Sequence, residues 1–493
     1  MKTAFKFLCV FALIGFSNFC LAQSNENKTY DIGFKTYKTF DISRQYFANN
    51  DTIDRPLLIH LWYPGKVDGK RENLTFKNYI DLIAIRENYT KTIDEINSNS
   101  FGFVNAYLGF AKGNFEIDSS VTAQQVLDSP VKAFRNAQFI NNTFPVIIYA
   151  PSNGKTPFQN HVICEYLASH GFYVISVASA GPNSIDRRDL GKSTLAQVED
   201  MEFILDYLQK NVKINYSNVG VFGFSTGGLA TSIFQMKHSK TKAIFSMDGS
   251  QEYSIYTIIA NLNEYDIDKT EAPYFLVGNQ NSSSIYPYFN SIKSQNKLFY
   301  RMPYLGHFGF VSFWTFFDSC NPDTNLHNYS FSYQAICESA LAFFNATLIE
   351  DNKSNDKLLS LSLQENEYAI KEKIEYSEPT KLINTFLQEN IDLAISTYKN
   401  NKATNFNNYN YSEEEISVLG RMIIDYDLGA SEKLFLFNQQ EYPRSWHVYF
   451  DLAFLYKIKG AKELAKKMLM KAQAIEPRNK EIKDLLEQLE NDE

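Results

Sequence analysis

Between residues 144 and 302 short, mainly apolar runs alternate with longer amphipathic ones. The apolar runs are Phe144-Pro-Val-Ile-Ile-Tyr149, Phe172-Tyr-Val-Ile-Ser176, Asn218-Val-Gly-Val-Phe222, Lys242-Ala-Ile-Phe-Ser-Met247, Tyr274-Phe-Leu-Val277 and Leu298 to Met302. Their shortness and lack of polar alternation predict strands covered on both faces. Helical segments fall between them. One closes at Ser169-His170-Gly171, with Gly171 as its C-cap. Another, Leu195 to Leu208, gathers Val198, Met201, Ile204, Leu205 and Leu208 on one side. Others start near Gly227 and run from Tyr333 to Ala346. Strands alternating with helices predict an α/β fold, a doubly wound and mostly parallel sheet with helices on both faces. Upstream, Arg55-Pro-Leu-Leu-Ile-His-Leu-Trp-Tyr-Pro64 reads as a strand ended by a turn proline. Residues 66–140 are less regular, with a helix at Tyr79 to Arg86, and read as an insertion that can serve as a lid.

The pattern changes after residue 350. Residues 351–375 open with the polar run Asp351 to Asp356 and read as a linker, and 376–493 read as an all-α domain rich in helix formers. Tyr449, Leu452, Ala453, Tyr456, Ala465, Leu469, Ala472 and Pro477 outline two helices about a turn at Gly460. Leu419, Gly420, Ile423, Ala430, Leu434, Phe437 and Pro443 form an upstream copy, with Leu419 and Leu452 33 residues apart. This resembles the tetratricopeptide repeat, whose period is about 34; the plainer alternative is an ordinary helical bundle. Such repeats imply a protein partner.

The chain begins as a signal peptide begins. Lys2 and Lys6 precede the apolar run Phe7 to Phe16, and Cys20-Leu21-Ala22 places small residues before a cut at Gln23. Residues 1–22 are therefore expected to be removed, residues 23–350 to form the main domain, and the product to be exported, periplasmic or secreted. A membrane anchor and a lipid-modified Cys20 are the alternatives; the apolar run falls short of the ~20 residues that span a bilayer. No other segment reads as a membrane span. Export permits disulfides, and Cys320 and Cys337 are candidates to pair, leaving Cys164 as a buried thiol. The net charge of −8 disfavours nucleic acid as a partner. No cysteine–histidine cluster has metal-ligand spacing, and no cofactor is expected.

Gly223-Phe-Ser-Thr-Gly227 fits G-x-S-x-G and lies between a predicted strand and a predicted helix. That context presents the central serine on a sharp turn, with helix N–H groups behind it. Ser225 is the candidate nucleophile. A serine needs a base and the base an orienting acid. His307, in Leu305-Gly-His-Phe-Gly309 after the last strand, is the candidate base; His327 and His447 sit in less suitable surroundings. Asp248 ends the strand that follows the nucleophile and is the preferred acid, with Asp266 and Asp268 weaker because they precede a strand. The N–H of Thr226 and a donor from the Ala150-Pro-Ser-Asn-Gly154 loop, Asn153 being the choice, are the candidate oxyanion hole.

Residues 28 to 348 resemble the platelet-activating-factor acetylhydrolase and dienelactone-hydrolase-like branch of the α/β hydrolases, the first more closely. The likeness lies in Arg55-Pro-Leu…Leu61-Trp-Tyr-Pro64, Phe144-Pro-Val…Tyr166-Leu-Ala-Ser-His-Gly171, Gln197-Val-Glu-Asp-Met-Glu-Phe-Ile-Leu-Asp206 and Gly223-Phe-Ser-Thr-Gly-Gly228. It implies a metal-free esterase for short or oxidised acyl esters, with Asp248 and His307 in the family's acid and base positions. Two stretches depart from the family. Ala150 to Gly154 stands where a Ser-His-Gly-type loop is usual, and Ala178-Ser-Ala-Gly-Pro182 where a histidine or acid is frequent. Both bear on the small ester substrate more than on the reaction. Two rivals remain from the residues themselves: a peptidase on the same fold, and a repeat-type binding protein carrying a vestigial hydrolase domain.

Overall fold

The computed structural model describes residues 29–48, 51–69, 72–114, 120–152, 156–183, 189–212, 214–252, 262, 264–279, 286–294, 296–315, 327–349, 368–371, 390–404, 412–424 and 427–491. The expected signal peptide, Asn153 and Cys320 lie outside them.

One mixed sheet organises the first three quarters of the chain. Its strands are β1 (Asp31–Ala48), β2 (Asp51–Lys66), β3 (Ala133–Arg135), β4 (Gln138–Phe139), β5 (Phe144–Ala150), β6 (Tyr173–Val177), β7 (Tyr216–Phe224), β8 (Ile244–Met247), β9 (Tyr274–Gly278), β10 (Lys297–Arg301) and β11 (Ile370–Lys371). They lie in the order β11-β10-β9-β8-β7-β5-β6-β2-β1-β3, with β4 beside β2. The block from β6 to β10 is parallel. After β5 the chain adds β6 on one side, then crosses back to place β7 on the other. Strand order therefore reverses at β5, and the crevice beyond the carboxyl ends of β5 and β7 is where such sheets hold ligands.

The helices are α1 (Phe76–Ala84), α2 (Ile93–Asn114), α3 (Ala123–Asp128), α4 (His161–Ser169), α5 (Leu190–Tyr207), α6 (Thr226–Lys237), α7 (Pro287–Ser291), α8 (His327–Leu348), α9 (Ile391–Thr404), α10 (Glu413–Met422), α11 (Leu428–Glu441), α12 (Trp446–Ile458), α13 (Lys462–Ile475) and α14 (Lys480–Asn491). Alternate side chains of each buried strand serve opposite layers. Ile147, Phe222, Phe245 and Phe275 face Cys164, Leu167, Phe343 and Phe344 of α4 and α8. Ile148, Ile175, Val221 and Leu276 share a cluster with Met201, Ile204, Leu229 and Ile233 of α5 and α6. The α4 end is a Schellman cap: Gly171 takes φ +94°, and the N–H groups of Phe172 and Gly171 return to the Leu167 and Ala168 carbonyls.

Several elements differ from expectation. Pro64 does not end β2; it pairs with Ile32 inside a long hairpin, where only its carbonyl is needed, and that carbonyl accepts from Ile140 N–H. Among the described residues of 66–140 are three mutually packed helices, and the last stretch returns to the sheet as β3 and β4. Tyr79 of α1 is buried, its hydroxyl accepting from Trp62 Nε1 at 2.8 Å and donating to Glu165 at 2.7 Å. Within the stretch expected as linker, Ile370–Lys371 adds an antiparallel edge to β10. Gly460 makes the expected turn between α12 and α13 at φ +70°. Cys337, a candidate to pair with Cys320, is a buried free thiol like Cys164. Among the described residues no helix is long and apolar enough to cross a membrane.

Candidate active site

Ser225 sits between β7 and α6 with φ 55° and ψ −124°, a region that costs a non-glycine residue on the order of 1–3 kcal/mol. The surroundings leave it no other path. Its N–H is held by the Met247 carbonyl of β8, and its own carbonyl accepts from Gly228 and Ser250. A Cβ on Gly223 would overlap the Gly227 carbonyl, and one on Gly227 would overlap the Ala150 carbonyl at the end of β5. The two glycines thus let strand, turn and neighbouring loop meet, and the serine side chain is left at the crevice.

His307 opens a short 3-10 turn after β10, where its ring lies 5.2 Å from that of Phe224. Nδ1 donates to Asp248 Oδ2 at 2.5 Å. A carboxylate can only accept, so Nε2 presents its lone pair to Ser225 Oγ, 3.1 Å away. Asp248 is fully buried at φ 44°, its N–H bonded to the Val277 carbonyl of β9. The structure thus brings Ser225, His307 and Asp248 together from the ends of three strands. Asp266 and Asp268 instead pair with Lys269 and Lys293. His327 starts α8, and His447 belongs to α12.

Sequence reasoning missed three polar residues here. Asn279, directly after β9, donates from its backbone N–H and its amide to the Asp248 carboxylate, the shortest bond being 2.9 Å. The sequence Gly278-Asn-Gln-Asn281 lacks an acid, and the amide of Asn279 does the holding instead. Gln197 of α5 donates to the Pro151 carbonyl at 3.0 Å and so fixes the loop after β5. Gln159 is a junction. Its Oε1 accepts from Ser152 Oγ at 3.3 Å, its amide nitrogen bonds the Tyr107 hydroxyl of α2, and its carbonyl accepts from Ser312 N–H at 2.7 Å. It therefore ties three segments together: α2, the loop beside the serine, and the segment following His307. Their signal was position alone, since all three lie at strand ends or against loops that they anchor.

Thr226 is the first residue of α6, so its N–H points from the helix N-terminus, and its hydroxyl is buried without a hydrogen-bond partner. Such an N-terminus favours developing negative charge. The Ala178–Pro182 loop after β6 is held from below. Buried Arg55 makes a two-point pair with Asp200, at 2.6 and 2.7 Å, and donates to the Gly181 carbonyl at 2.7 Å. Beside the triad, Phe308 is 65% exposed. Two residues beyond Ser250, burial pushes the Glu252 carboxyl up to about 8, although Phe289 N–H and the Tyr274 hydroxyl stabilise its charged form. Among the described residues no group of three or more His, Cys, Asp or Glu side chains is placed to hold a metal ion.

The mostly parallel sheet reverses its strand order beside the strand that carries G-x-S-x-G, a doubly wound α/β arrangement, and Asp248 and His307 follow Ser225 in chain order. No family model matches the chain, and no curated protein matches it. Among solved structures it matches a ferulic acid esterase from Streptomyces cinnamoneus. The identity is 17% and the TM-score 0.47, over 64% of this chain and 90% of that one.

Proposed function

We propose that the chain is an exported serine hydrolase that cleaves carboxylic esters of short-acyl or lipid type through a covalent acyl-enzyme. The observation that carries this is the unbroken line of hydrogen bonds from Asp248 through His307 to Ser225, laid out on a strained turn at the strand-order reversal. In the first half-reaction His307 Nε2 takes the Ser225 proton as Oγ attacks the ester carbonyl. The resulting oxyanion accepts from Thr226 N–H and from a donor in the loop after β5, for which Asn153 is our assignment. The tetrahedral species expels an alkoxide, which leaves as an alcohol with the proton from His307. In the second, water gives a proton to His307 as its oxygen bonds the acyl carbon, the bond from that carbon to Ser225 Oγ breaks, Oγ takes the proton back from His307, and the acid departs. Asp248 holds the tautomer and balances the imidazolium between these steps. Asn279 keeps that carboxylate aimed at the ring.

The sequence likeness to platelet-activating-factor acetylhydrolases favours short or oxidised acyl groups. Export follows from the N-terminal sequence, and a protein partner for the tetratricopeptide-like helices from their repeat.

The test is hydrolysis of p-nitrophenyl esters of increasing chain length by the secreted protein and by its Ser225→Ala variant. Turnover should fall by a factor on the order of 10⁴ or more in the variant, with its melting temperature within a few degrees of the parent. A parent protein that cleaves no ester and does not react with a fluorophosphonate would sink the proposal.

A further inference from the structure

Glu165 of α4 is a buried carboxyl that the triad does not use. One of its oxygens accepts from the Tyr79 hydroxyl of α1 at 2.7 Å, the other from the Lys132 backbone N–H at 3.1 Å. The Tyr79 hydroxyl itself accepts from Trp62 Nε1 of β2 at 2.8 Å. Tyr79 lies in the first helix of the 66–140 insertion and Lys132 just before β3. A single side chain thus clasps the insertion near both of its ends. The rest of this seat is apolar: the Tyr79 ring lies 4.9 Å from that of Phe158 and 4.8 Å from that of Phe34. Helices α1, α2 and α3 pack on one another, and α2 rests Tyr107 on Phe313 and on Gln159.

Two effects oppose each other at this carboxyl. Removal from water disfavours its charged form, whereas the Tyr79 hydroxyl and the N–H groups of Lys132 and Ala133 stabilise it. Burial prevails and raises the group from 4.5 to about 7. The titratable neighbours stay neutral. Burial raises the Tyr79 hydroxyl and the thiols of Cys164 on α4 and Cys337 on α8. It lowers His161, one turn back on α4, to about 4, and His60 of β2 to about 3. Of the groups around Glu165 only Lys132 brings a charge, and its side chain is exposed.

We propose that Glu165 is a proton-operated latch: while protonated it keeps α1 to α3 seated on α4 and the sheet, and ionisation lets them open as a unit with the sheet still folded. An undocked Glu165 meets water and ionises near 4.5, the docked one near 7. Below about pH 4.5 both forms hold the proton and docking is at its tightest. Between the two values only the undocked form releases it, so docking weakens by up to about tenfold per pH unit. Above about pH 7 both are charged and no further loss occurs. From pH 5 to 7.5 the docking equilibrium should fall roughly 50-fold. Opening lifts Tyr107 from Gln159, which holds the Ser152 hydroxyl in the loop after β5. The latch does not depend on what reaction Ser225 performs.

The experiment is native-state hydrogen exchange of the full-length protein from pH 5 to 8.5, corrected for the intrinsic pH dependence of amide exchange and read by mass spectrometry. Peptides from α1, α2 and α3 should be less protected than those from β5 and β7 at every pH, because they open on their own. Their protection should fall roughly 50-fold from pH 5 to 7.5 and then level off. Glu165→Gln keeps an acceptor for Tyr79 but has no proton to lose, and in it the fall should vanish. Lys132→Gln, a change at the surface, removes the one neighbouring positive charge. The docked carboxyl should then ionise about 0.5 pH unit higher, and the levelling-off should move up with it. Three results overturn the latch. Helices that exchange no faster than the strands have no opening of their own. Protection that stays flat from pH 5 to 7.5 means that docked Glu165 holds no proton. A fall that persists in Glu165→Gln belongs to another group. Should Glu165→Gln fail to fold, Lys132→Gln decides alone: a levelling-off that stays at the parent's pH sinks the idea.

Discussion

Glu252 illustrates how a single side chain near the triad can leave a signature in solution. It is fully buried between Tyr274 and the start of α7, and burial raises its carboxyl from 4.5 to about 8. Below about pH 4.5 the group is protonated whether the chain is folded or not, and it contributes no pH dependence. Between about 4.5 and 8 the unfolded chain releases the proton while the native one keeps it, so stability falls as pH rises. Above about 8 both states are charged and the loss is complete. The Glu252→Gln variant keeps an acceptor for Phe289 N–H and the Tyr274 hydroxyl but has no proton to lose. Its melting temperature relative to the parent should therefore climb from pH 5 to pH 8 and level off beyond. A difference that stays constant across that range would mean that Glu252 does not hold a proton in the native state.

At the scale of elements, function depends on loops held in register by residues that never meet substrate, and Gln159 is the most connected of them. Removing its amide in Gln159→Ala frees Ser152 and the loop after β5, while Ser312 keeps its bond to the backbone carbonyl. A shifted oxyanion donor weakens binding of the transition state more than of the ground state. On the esterase reading, the variant should lose roughly 10- to 100-fold in kcat with KM within about threefold. Tyr107→Phe, which deletes only the hydroxyl, should give a smaller loss in the same direction. A change confined to KM would assign Gln159 to substrate contact instead. This layer of the design was the least legible in the sequence. The strands from Phe144 to Arg301 announce themselves because the middle of each is buried on both faces and mainly apolar. The elbow and its partners follow from the chemistry that a serine requires. β1 hides because Phe40 and Ile42 are exposed while Asp41 between them is buried, which breaks the period, and α2 because its apolar side is interrupted by Asn and Gly. Asn279, Gln197 and Gln159 act through amides, and an amide's role exists only once folding has supplied its partner.

For the molecule as a whole, the question is how far the C-terminal helices share the fate of the sheet. The apolar cluster on the α5–α6 face of the sheet extends without a break to Ile391, Ala394 and Tyr398 of α9, Ile416 and Leu419 of α10, and Leu434 and Phe437 of α11. A separate cluster joins Phe435 of α11 to Leu452, Leu455, Leu469 and Leu485 of α12, α13 and α14. Helix α11 therefore turns one side to each cluster. Cooperative units follow contiguous packing, so α9 to α11 should open with the sheet, whereas α12 to α14 should open alone at lower cost. Leu434 and Leu469 are both buried, and truncating either to alanine should cost about 2–5 kcal/mol, but in different places. Under native conditions Leu434→Ala should speed hydrogen exchange in β5, β7 and α5 together with α9 to α11. Leu469→Ala should speed it in α12 to α14 and leave the strands as protected as in the parent. If Leu469→Ala exposes β5 and β7 equally, the two clusters unfold as one, and the C-terminal helices are part of what keeps Ser225 on its strained turn. If it does not, those helices are free to open, close or take a partner while the triad stays assembled, which is the condition for adding a binding surface to a catalytic sheet without destabilising it.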